Sequence, residues 1–257
     1  MGFGNILGPS SLQQKSLAAL PSAAGLATGT SFEITNYGGN IATVVAGAWR
    51  FEYPFRTTWA GRPPVGLVPV GTELQVTDYA NQKWINDGTV WRPAQGRILL
   101  AQKNADGYGS IAVLTGVTSG EWAITKPILK GGMGVPGAKL RVEGLVIKVG
   151  TSGTFIPAAY LGTTGSMATD PAIGSVGATL STDAAGIRWD MYACFGSNEN
   201  TYLRSGSIAP QGQIQGNIIV QSVNVNTASD MSVTFGMASG FATDAFHLKS
   251  YAVWLEA

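Results

Sequence analysis

The sequence is poor in charge, cysteine and histidine. Only 12% of its 257 residues are charged, and 15 acidic residues nearly balance 16 basic ones. A chain without a basic excess lacks the attraction that nucleic acids and anionic membranes require, so we expect neither as a partner. The one cysteine, Cys194, excludes an intrachain disulfide framework and a multi-cysteine zinc site. The one histidine, His247, excludes the two-histidine zinc motif, and we expect neither metal nor cofactor.

Long apolar runs are also missing. The longest uncharged stretch, residues 205–229, is rich in Gln, Asn, Ser and Gly, which makes it too polar to insert into a bilayer. The N-terminus has no basic segment of the kind that begins a signal peptide, and Pro21 and Gly25 interrupt its run of small residues. We therefore expect a chain that is made in the cytoplasm without a signal peptide.

Glycine and apolar residues are abundant instead. The chain contains 35 glycines, about twice the usual share, and 45% of its residues are hydrophobic. No long amphipathic helix follows residue 30, and short apolar segments alternate with Gly/Ser/Thr turns, which favours an all-β chain with an antiparallel, jelly-roll-like sandwich. A shift of the apolar phase near Ser250 predicts a β-bulge. Six longer strands are predicted at 140–149, 154–161, 187–195, 217–225, 231–237 and 246–256.

Composition shifts predict three segments: a short N-terminal arm at 1–30, a small β module at 31–134 and a C-terminal sandwich at 135–257. A short helix is expected inside the arm, before Pro21. Three prolines between residues 61 and 70 predict an extended connector, because proline cannot donate to a central strand. The pair Asp87-Gly88 predicts a tight hairpin turn.

No residue pattern points to catalysis, and we expect no enzyme. Residues 132–137 match G-x-G-x-x-G but precede a predicted strand, which favours a linker over a nucleotide site. His247 is expected to be a half-buried rim residue, and Cys194 a buried, inert thiol. Scattered acids leave a glycan-cleaving carboxylate pair as an open alternative, and the candidates are Asp183, Asp190, Glu199, Asp230 and Asp244.

Aromatic residues allow a recognition role instead. The chain has seven Trp and eight Tyr, and sugar rings stack on such side chains when amides and hydroxyls lie nearby. We expect Trp189 and Trp254, on predicted strands, to fill the core. A polar loop at 196–216 is the candidate recognition segment, and its candidate receptor-binding residues are Asn198, Asn200, Tyr202 and Arg204.

Several segments together resemble fibre and receptor-binding proteins of tailed bacteriophages. In the first half these are Arg62-Pro-Pro, Val70-Gly-Thr-Glu-Leu-Gln-Val-Thr-Asp-Tyr79 and Lys83-Trp-Ile-Asn-Asp-Gly-Thr-Val-Trp-Arg-Pro-Ala-Gln-Gly96, the last of the form W-x-x-D-G-x-x-W-R-P. In the second half, Val135-Pro-Gly-Ala-Lys-Leu-Arg-Val, Phe155-Ile-Pro-Ala-Ala-Tyr-Leu-Gly162 and Leu248-Lys-Ser-Tyr-Ala-Val-Trp-Leu-Glu256 are similar to the small β-sandwich that closes many such fibres. The resemblance covers residues 60–100 and 135–257.

The resemblance implies a virion protein, most simply a homotrimeric tail fibre that binds a host-surface glycan or protein. It implies no catalytic residues. The arm would attach the chain to tail, baseplate or capsid proteins, through apolar residues Phe3, Ile6, Leu7, Leu12, Leu17 and Leu20. The alternatives are a head fibre, decoration or collar protein without receptor activity, a polysaccharide depolymerase, and an unrelated sandwich lectin.

Overall fold

The computed structural model describes residues 12–150, 154–175, 178–179, 185–196, 200–208, 222–240 and 242–256. Strands and short 3-10 helices make up the regular structure of these residues, which confirms the expectation of an all-β chain. None of the described helices is long and apolar enough to cross a membrane. The chain divides into two compact units, Met1–Gln95 and Gly96–Ala257, which we call the repeat unit and the sandwich unit.

The repeat unit contains two four-stranded sheets, and their strands are β1 (Gln14–Lys15), β2 (Ser31–Ile34), β3 (Asn40–Val45), β4 (Ala48–Phe51), β5 (Phe55–Thr57), β6 (Glu73–Val76), β7 (Gln82–Asn86) and β8 (Trp91–Pro93). The orders are β1-β2-β3-β4 and β5-β6-β7-β8. In each sheet the first strand runs parallel to the second, and the other pairs are antiparallel. Short 3-10 helices connect them at Leu17–Ala19, Ala23–Gly25, Thr35–Tyr37, Val65–Leu67 and Thr77–Tyr79.

The two sheets use the same tryptophan contact. The indole nitrogen of Trp49 donates to the carbonyl of Pro21 at 3.0 Å, and that of Trp91 donates to the carbonyl of Pro63 at 3.0 Å. Both residues of the second pair lie 42 positions after those of the first. This equal spacing indicates a tandem repeat.

A second contact recurs at the same spacing. The backbone N–H of Leu17 donates to Oδ1 of Asn36 at 3.0 Å, and the backbone N–H of Trp59 donates to Oδ1 of Asp78 at 2.9 Å. Each bond ties the segment after the first strand of a sheet to the 3-10 helix after its second strand. The repeat therefore extends to the connections as well as the strands.

Residues 12–53 form the first repeat and residues 54–95 the second. The repeat was not predicted, because few positions are identical between the copies. The identical pairs are Ala18/Ala60, Pro21/Pro63, Gly29/Gly71, Thr30/Thr72, Thr35/Thr77, Tyr37/Tyr79, Trp49/Trp91 and Arg50/Arg92.

The ring of Phe55 joins the two repeats through two aromatic contacts. Phe55, the first residue of β5, is fully buried. Its ring lies 4.9 Å from that of Tyr37 and 4.6 Å from that of Phe51, both in the first repeat, with edge-on geometry. Edge-to-face aromatic pairs of this kind are favourable beyond the area that they bury. The side chain that begins the second repeat thus closes the end of the first.

The second part of the predicted arm is a component of the first repeat. Strand β1 pairs with β2, and Leu17 is 4% exposed. The short helix expected before Pro21 is replaced by β1 and the 3-10 helix Leu17–Ala19. The segment gains backbone hydrogen bonds at the sheet edge that an isolated helix of one turn and a half could not provide.

The proline-rich segment at 61–70 lies within the second repeat, where it covers the sheet. Pro63 is buried under Trp91, Val68 is 6% exposed, and Val65–Leu67 form a 3-10 helix. The segment therefore differs from the extended connector that its prolines predicted. Its fixed backbone angles shape a loop that packs on the repeat's own core.

The hairpin turns of the two repeats differ from the prediction. Asp87-Gly88 does not form a two-residue turn, because the connection between β7 and β8 spans four residues. The two-residue turn occurs in the first repeat, at Ala46-Gly47, where φ is 52° and 76°. Positive φ at both positions is what a type I′ turn requires.

The sandwich unit contains thirteen described strands: β9 (Arg97–Asn104), β10 (Ala112–Thr115), β11 (Ser119–Glu121), β12 (Ile128–Leu129), β13 (Lys139–Val149), β14 (Thr154–Gly162), β15 (Ala172–Ser175), β16 (Ala178–Thr179), β17 (Ala185–Phe195), β18 (Asn200–Ile208), β19 (Ser222–Asn224), β20 (Met231–Ser239) and β21 (Ala245–Glu256). One sheet has the order β10-β21-β13-β17-β18-β19, with β9 also on β21. The other has the order β11-β20-β14-β15, with β12 on β20 and β16 on β14. All these pairs are antiparallel.

Most predicted sandwich strands occur within a few residues of their expected bounds. Strand β18 was not predicted, and of the strand expected at 217–225 the described residues show β19. The bulge expected near Ser250 is confirmed, because Leu145 pairs with Ser250 while the next residue, Val146, pairs with Leu248. Lys249 is therefore the extra residue on β21.

The two sheets pack face to face through aromatic side chains. Phe155 stacks on Phe246 with ring centroids 4.8 Å apart, and Trp189 lies 5.6 Å from Phe235. Gly144 makes room for Trp189, since a Cβ on this glycine would lie 2.2 Å from the indole ring. Trp189 is 1% exposed, as predicted for a core residue.

The predicted boundary at residue 135 lies inside the sandwich unit. Met133 is fully buried and Val135 is 6% exposed. A Cβ on Gly134 would lie 2.9 Å from the ring of Phe195, so the glycine permits a close approach rather than a flexible joint. The glycine-rich segment is a packed turn that leads into β13, which removes the basis for a linker there.

Candidate functional site

The outer face of the seven-stranded sheet carries a connected group of charged and aromatic side chains. Along β13, residues alternate strictly between buried and half-exposed positions. The half-exposed positions begin at Lys139 and include Arg141 and Glu143. Strand alternation sends these side chains to the face that points away from the other sheet.

Arg141 is the centre of this group. Its guanidinium lies 2.7 Å from Asp190 and 2.8 Å from Glu143. The hydroxyl of Tyr192 donates to the same Asp190 carboxylate at 2.9 Å, and the Arg141 guanidinium also lies over the Tyr192 ring. These contacts hold four long side chains in fixed positions on the sheet surface.

The group shifts the pKa values of its members. The hydrogen bond from Arg141 to Asp190 raises the pKa of the guanidinium, although partial burial opposes this. Burial, followed by the hydrogen bond to Asp190, raises the pKa of Tyr192 to about 12. Both groups therefore keep their protons at all ordinary pH values, which makes this cluster a fixed polar surface and gives it no proton to exchange near neutrality.

A polar groove begins beside this cluster, where small residues on β21 leave space between the long ones. Its cavity of about 270 Å³ is lined by Gln102, Asn104, Glu143, Arg188 and Ser250, among others. A second cavity of about 300 Å³ shares Asn104 and Ser250 and extends to Tyr108. The two cavities adjoin on the outer face. Amide, hydroxyl, carboxylate and guanidinium groups line them together with the apolar side chains of Leu145 and Ile147.

The loop at 105–111 closes one end of this groove. It leaves the sheet at the β21 bulge, where Ala105 donates to the carbonyl of Lys249 at 2.8 Å. The Lys249 ammonium donates to the carbonyls of Tyr108 at 2.8 Å and Gly109 at 2.7 Å. The loop is thus braced from within, while the Tyr108 side chain is fully exposed.

The four predicted receptor-binding residues are Asn198, Asn200, Tyr202 and Arg204. Three of them lie on β18, the strand next to β17 in the sheet that carries the outer-face cluster. Asn198 lies outside the described residues. The other three lie on β18, where the register pairs Tyr202 with Cys194 and Arg204 with Tyr192. Arg204 is therefore the register partner of a member of the outer-face cluster. Its role in binding stays a prediction.

The predicted attachment residues fall on both sides of the described boundary. Phe3, Ile6 and Leu7 lie outside the described residues. Leu12 and Leu20 are half-buried, and Leu17 is buried in the first repeat. Because Leu17 is covered by its own chain, it is not available for contact with another protein.

Two residues that were expected to be buried in the core are only half-buried. Cys194 is half-buried on the outer face rather than buried in the core. Trp254 is also half-exposed there, with the guanidinium of Arg97 4.9 Å from its ring, so the prediction of a core tryptophan was wrong. Both occupy outward positions of strands whose alternating residues form the core, and a predicted strand does not reveal which phase points inward.

His247 is a half-buried rim residue, as expected. Its Nδ1 lies 2.9 Å from Oγ of Ser110, and Lys249 donates to the same hydroxyl at 3.2 Å. Burial, followed by the charge of Lys249, lowers the pKa of His247. A hydroxyl next to a neutral imidazole resembles a nucleophile and its base, but here the third group is a cation instead of the carboxylate that orients a catalytic histidine.

The acids considered for a glycan-cleaving pair do not converge in the described part of the chain. Asp190 belongs to the Arg141 cluster, Asp230 pairs with Lys130 at 2.6 Å, and Asp244 is buried against Lys148 at 3.2 Å. Asp183 and Glu199 lie outside the described residues. Among the described residues, no group of three or more His, Cys, Asp or Glu side chains could hold a metal ion.

The repeat unit has a groove of its own. A cavity of about 610 Å³ lies between the two repeats, bordered by Trp49 and Tyr53 from the first and by Val70 and Glu73 from the second. Tyr53 is 59% exposed and Val70 is 70% exposed. The groove follows the edge strand β4.

Sequence reasoning missed the groove on the sandwich. The pair Asp106-Gly107 is typical of a turn, but nothing in that pattern shows that the next residue, Tyr108, is fully exposed. The amides of Gln102 and Asn104 join the groove through the pairing of β9 with β21, which is remote in sequence. The one available signal was the alternation at the end of β9, which places the polar residues Gln102 and Asn104 on the same face of the strand.

Comparisons with known proteins give no family. No protein-family model and no curated protein matches this chain. Among solved structures, a glycoside hydrolase family protein from Mycobacterium thermorestibile is 11% identical, covering 70% of this chain and 84% of its own, with a TM-score of 0.25. A β-1,3-glucanase from Mycobacterium marinum is 11% identical, covering 77% and 84%, with a TM-score of 0.22. TM-scores this low do not mark a shared fold, so no activity is transferred.

Proposed function

We propose that this chain is a bacteriophage virion fibre protein, most simply a tail fibre that attaches the particle to its host. Support comes from the fibre-like motifs and from one structural observation. A tandem β repeat is followed by a β-sandwich that carries a braced polar groove on an outer face. Stacked repeats contact mainly their neighbours and suit a spacer, whereas loops on a rigid sandwich suit recognition.

The proposal includes a homotrimer. Apolar side chains of the repeat unit are exposed, namely Tyr53, Leu67 and Val70. Surfaces of this kind are typical of contacts with other chains. Only 12% of the residues are charged, so few charges oppose the association of copies of this chain. Attachment to tail, baseplate or capsid proteins is proposed for the N-terminal residues Phe3, Ile6, Leu7 and Leu12.

The experiment combines solution mass with adsorption. We expect the purified full chain to have the mass of a trimer in native mass spectrometry. The fluorescently labelled chain should adsorb to a subset of bacterial strains in a panel, and an excess of unlabelled chain should block infection by the virus that carries it. A monomer that adsorbs to no strain, including the virus's own host, would contradict the proposal.

Antibody labelling of virus particles separates the alternatives. Label at the tail tip is expected for a receptor-binding fibre. Label on the capsid or collar, without adsorption of the free chain, would identify a structural virion protein instead. Release of reducing sugar from host polysaccharide by the purified chain would identify a depolymerase.

A further inference from the structure

The groove on the outer sheet face has the polar groups that hydroxyl-rich ligands need. Gln102 and Asn104 are exposed, and each presents an amide with both donors and an acceptor. Ser250 adds a hydroxyl, and it lies opposite Asn104 in the pairing of β9 with β21. A planar side-chain amide can bind two adjacent sugar hydroxyls at once: its N–H group donates to one hydroxyl, and its oxygen accepts from the other.

The charged groups that line the groove have partners of two kinds. The Lys249 ammonium, which lines the second cavity, is held by the carbonyls of Tyr108 and Gly109 and not by an acid. Glu143 lies 2.8 Å from Arg141 and 4.0 Å from Arg188. At the far side of the face, Lys139 lies 2.8 Å from Glu256. Because the carboxylate of the groove is paired and its lysine is held by carbonyls, the groove offers little free charge to an anionic polymer and favours a neutral ligand.

Tyr108 provides the apolar contact. Its ring is fully exposed and does not contribute to the core, although its loop is fixed by two bonds from Lys249. The bulge at Lys249 is what aims this ammonium into the loop, and bulges often reposition a side chain near a functional site. An exposed aromatic ring on a braced loop, at the end of a groove, can serve as a platform for one face of a sugar ring.

We propose that this groove binds a neutral saccharide, with one pyranose ring on Tyr108 and the next residue held by the amides of Asn104 and Gln102. The inference rests on the proposed adhesive function and gives it a ligand class and a site. The two adjoining cavities, about 270 and 300 Å³, are each of a size for one sugar residue.

Direct binding is tested with simple sugars. The full chain is mixed with millimolar methyl glycosides of glucose, galactose, mannose, rhamnose and N-acetylglucosamine, and saturation-transfer NMR reports which ones bind. At least one glycoside should give a signal, and Tyr108→Ala or Asn104→Ala should weaken it about tenfold or abolish it. Lys103→Ala is the matched control, since it removes an exposed side chain from the same strand that lines neither cavity. Absence of any signal, or equal signals in all variants, overturns the proposal.

Adsorption to cells separates failure of the groove from failure of the adhesive function. Periodate treatment, which cleaves sugar diols, should abolish adsorption, whereas protease treatment should not. If the wild-type chain and Tyr108→Ala adsorb equally, the groove is wrong and adhesion stands. If glycosides bind in the groove but no cell adsorbs the chain, the site stands and the virion role fails. Loss of adsorption only after protease treatment would assign a protein receptor and overturn the saccharide.

Discussion

The two repeats of the N-terminal unit have the same backbone plan but different interiors. In both, an indole nitrogen bonds a proline carbonyl at 3.0 Å, and the sheets have the same strand order. Inside, Leu17 and Ala42 of the first repeat stand where Trp59 and Trp84 stand in the second, and all four are buried. Main-chain bonds and their few side-chain partners therefore specify the plan, while core volume can vary as long as each repeat fills its own space.

The residues of the turns also differ between the repeats while the backbone path stays the same. After the second strand of each repeat, two consecutive residues have positive φ: Gly38 and Gly39 at 68° and 75°, and Ala80 and Asn81 at 51° and 58°. Glycine adopts this conformation without strain, whereas alanine does so at a cost of about 1 kcal/mol. The backbone path is retained even where the residue disfavours it, so the rest of the repeat must enforce it.

The larger interior predicts that the second repeat is the more stable one. Trp84 is fully buried and lies 4.4 Å from the ring of Trp59, whereas Trp49 is half-buried. We expect Trp84→Ala to lower the free energy of unfolding by about 3–5 kcal/mol. Trp49→Ala should cost less than half as much. Denaturant unfolding of the full chain measures both changes.

Hydrogen exchange locates the effect within the unit. Amides of β6 and β7 should exchange more slowly than those of β2 and β3 in the wild type, and Trp84→Ala should reverse the order. If Trp84→Ala fails to fold, Trp84→Phe tests the same contrast with a smaller loss of volume. Equal protection of the two repeats would show that they unfold as one unit and that core volume does not distinguish them.

The side-chain hydrogen bond that recurs in both repeats contributes less to stability than the buried tryptophans. Asn36 accepts from Leu17 in the first repeat, and Asp78 accepts from Trp59 in the second. Replacement of either side chain by alanine should cost about 1 kcal/mol, with the larger loss for Asp78 because a charged acceptor forms the stronger bond. Asp78→Asn keeps the oxygen and should recover most of the loss. Thermal unfolding measures all three, and a larger loss at Asn36 would contradict the ranking.

The sequence was sufficient for the fold class but not for the repeat or the groove. Alternation identified β13 and β21, and the phase shift located the bulge at Lys249. The repeat escaped because its copies share a few anchor residues, such as Trp49 and Trp91, while their cores differ in size. The groove escaped because it forms across β9, β21 and β13, and strand pairing over such sequence distances leaves no local signal.

The hairpin turns of the two repeats also differ in how they are expected to respond to acidic pH. Asp87 accepts from the backbone N–H groups of Thr89 and Val90, each at 2.8 Å. These two bonds, Val90 first, hold the pKa of Asp87 well below its usual range, and Arg92 adds to the effect. The first repeat has Val45 at the equivalent position, so its turn has no group that titrates there.

The sign of the pH dependence follows from this shift. Since the pKa of Asp87 is lower in the folded chain than the value of about 4 in an unfolded one, its stabilising contribution is complete above that pH. It is lost as the pH falls further, toward the folded-state pKa. We expect Asp87→Asn to be less stable than the wild type by about 0.5–1 kcal/mol at pH 7 and by a smaller margin at pH 3. Val45→Ala should show the same margin at both pH values, because no proton is involved. A margin for Asp87→Asn that does not change with pH would mean that the turn depends on the shape of this side chain and not on its charge.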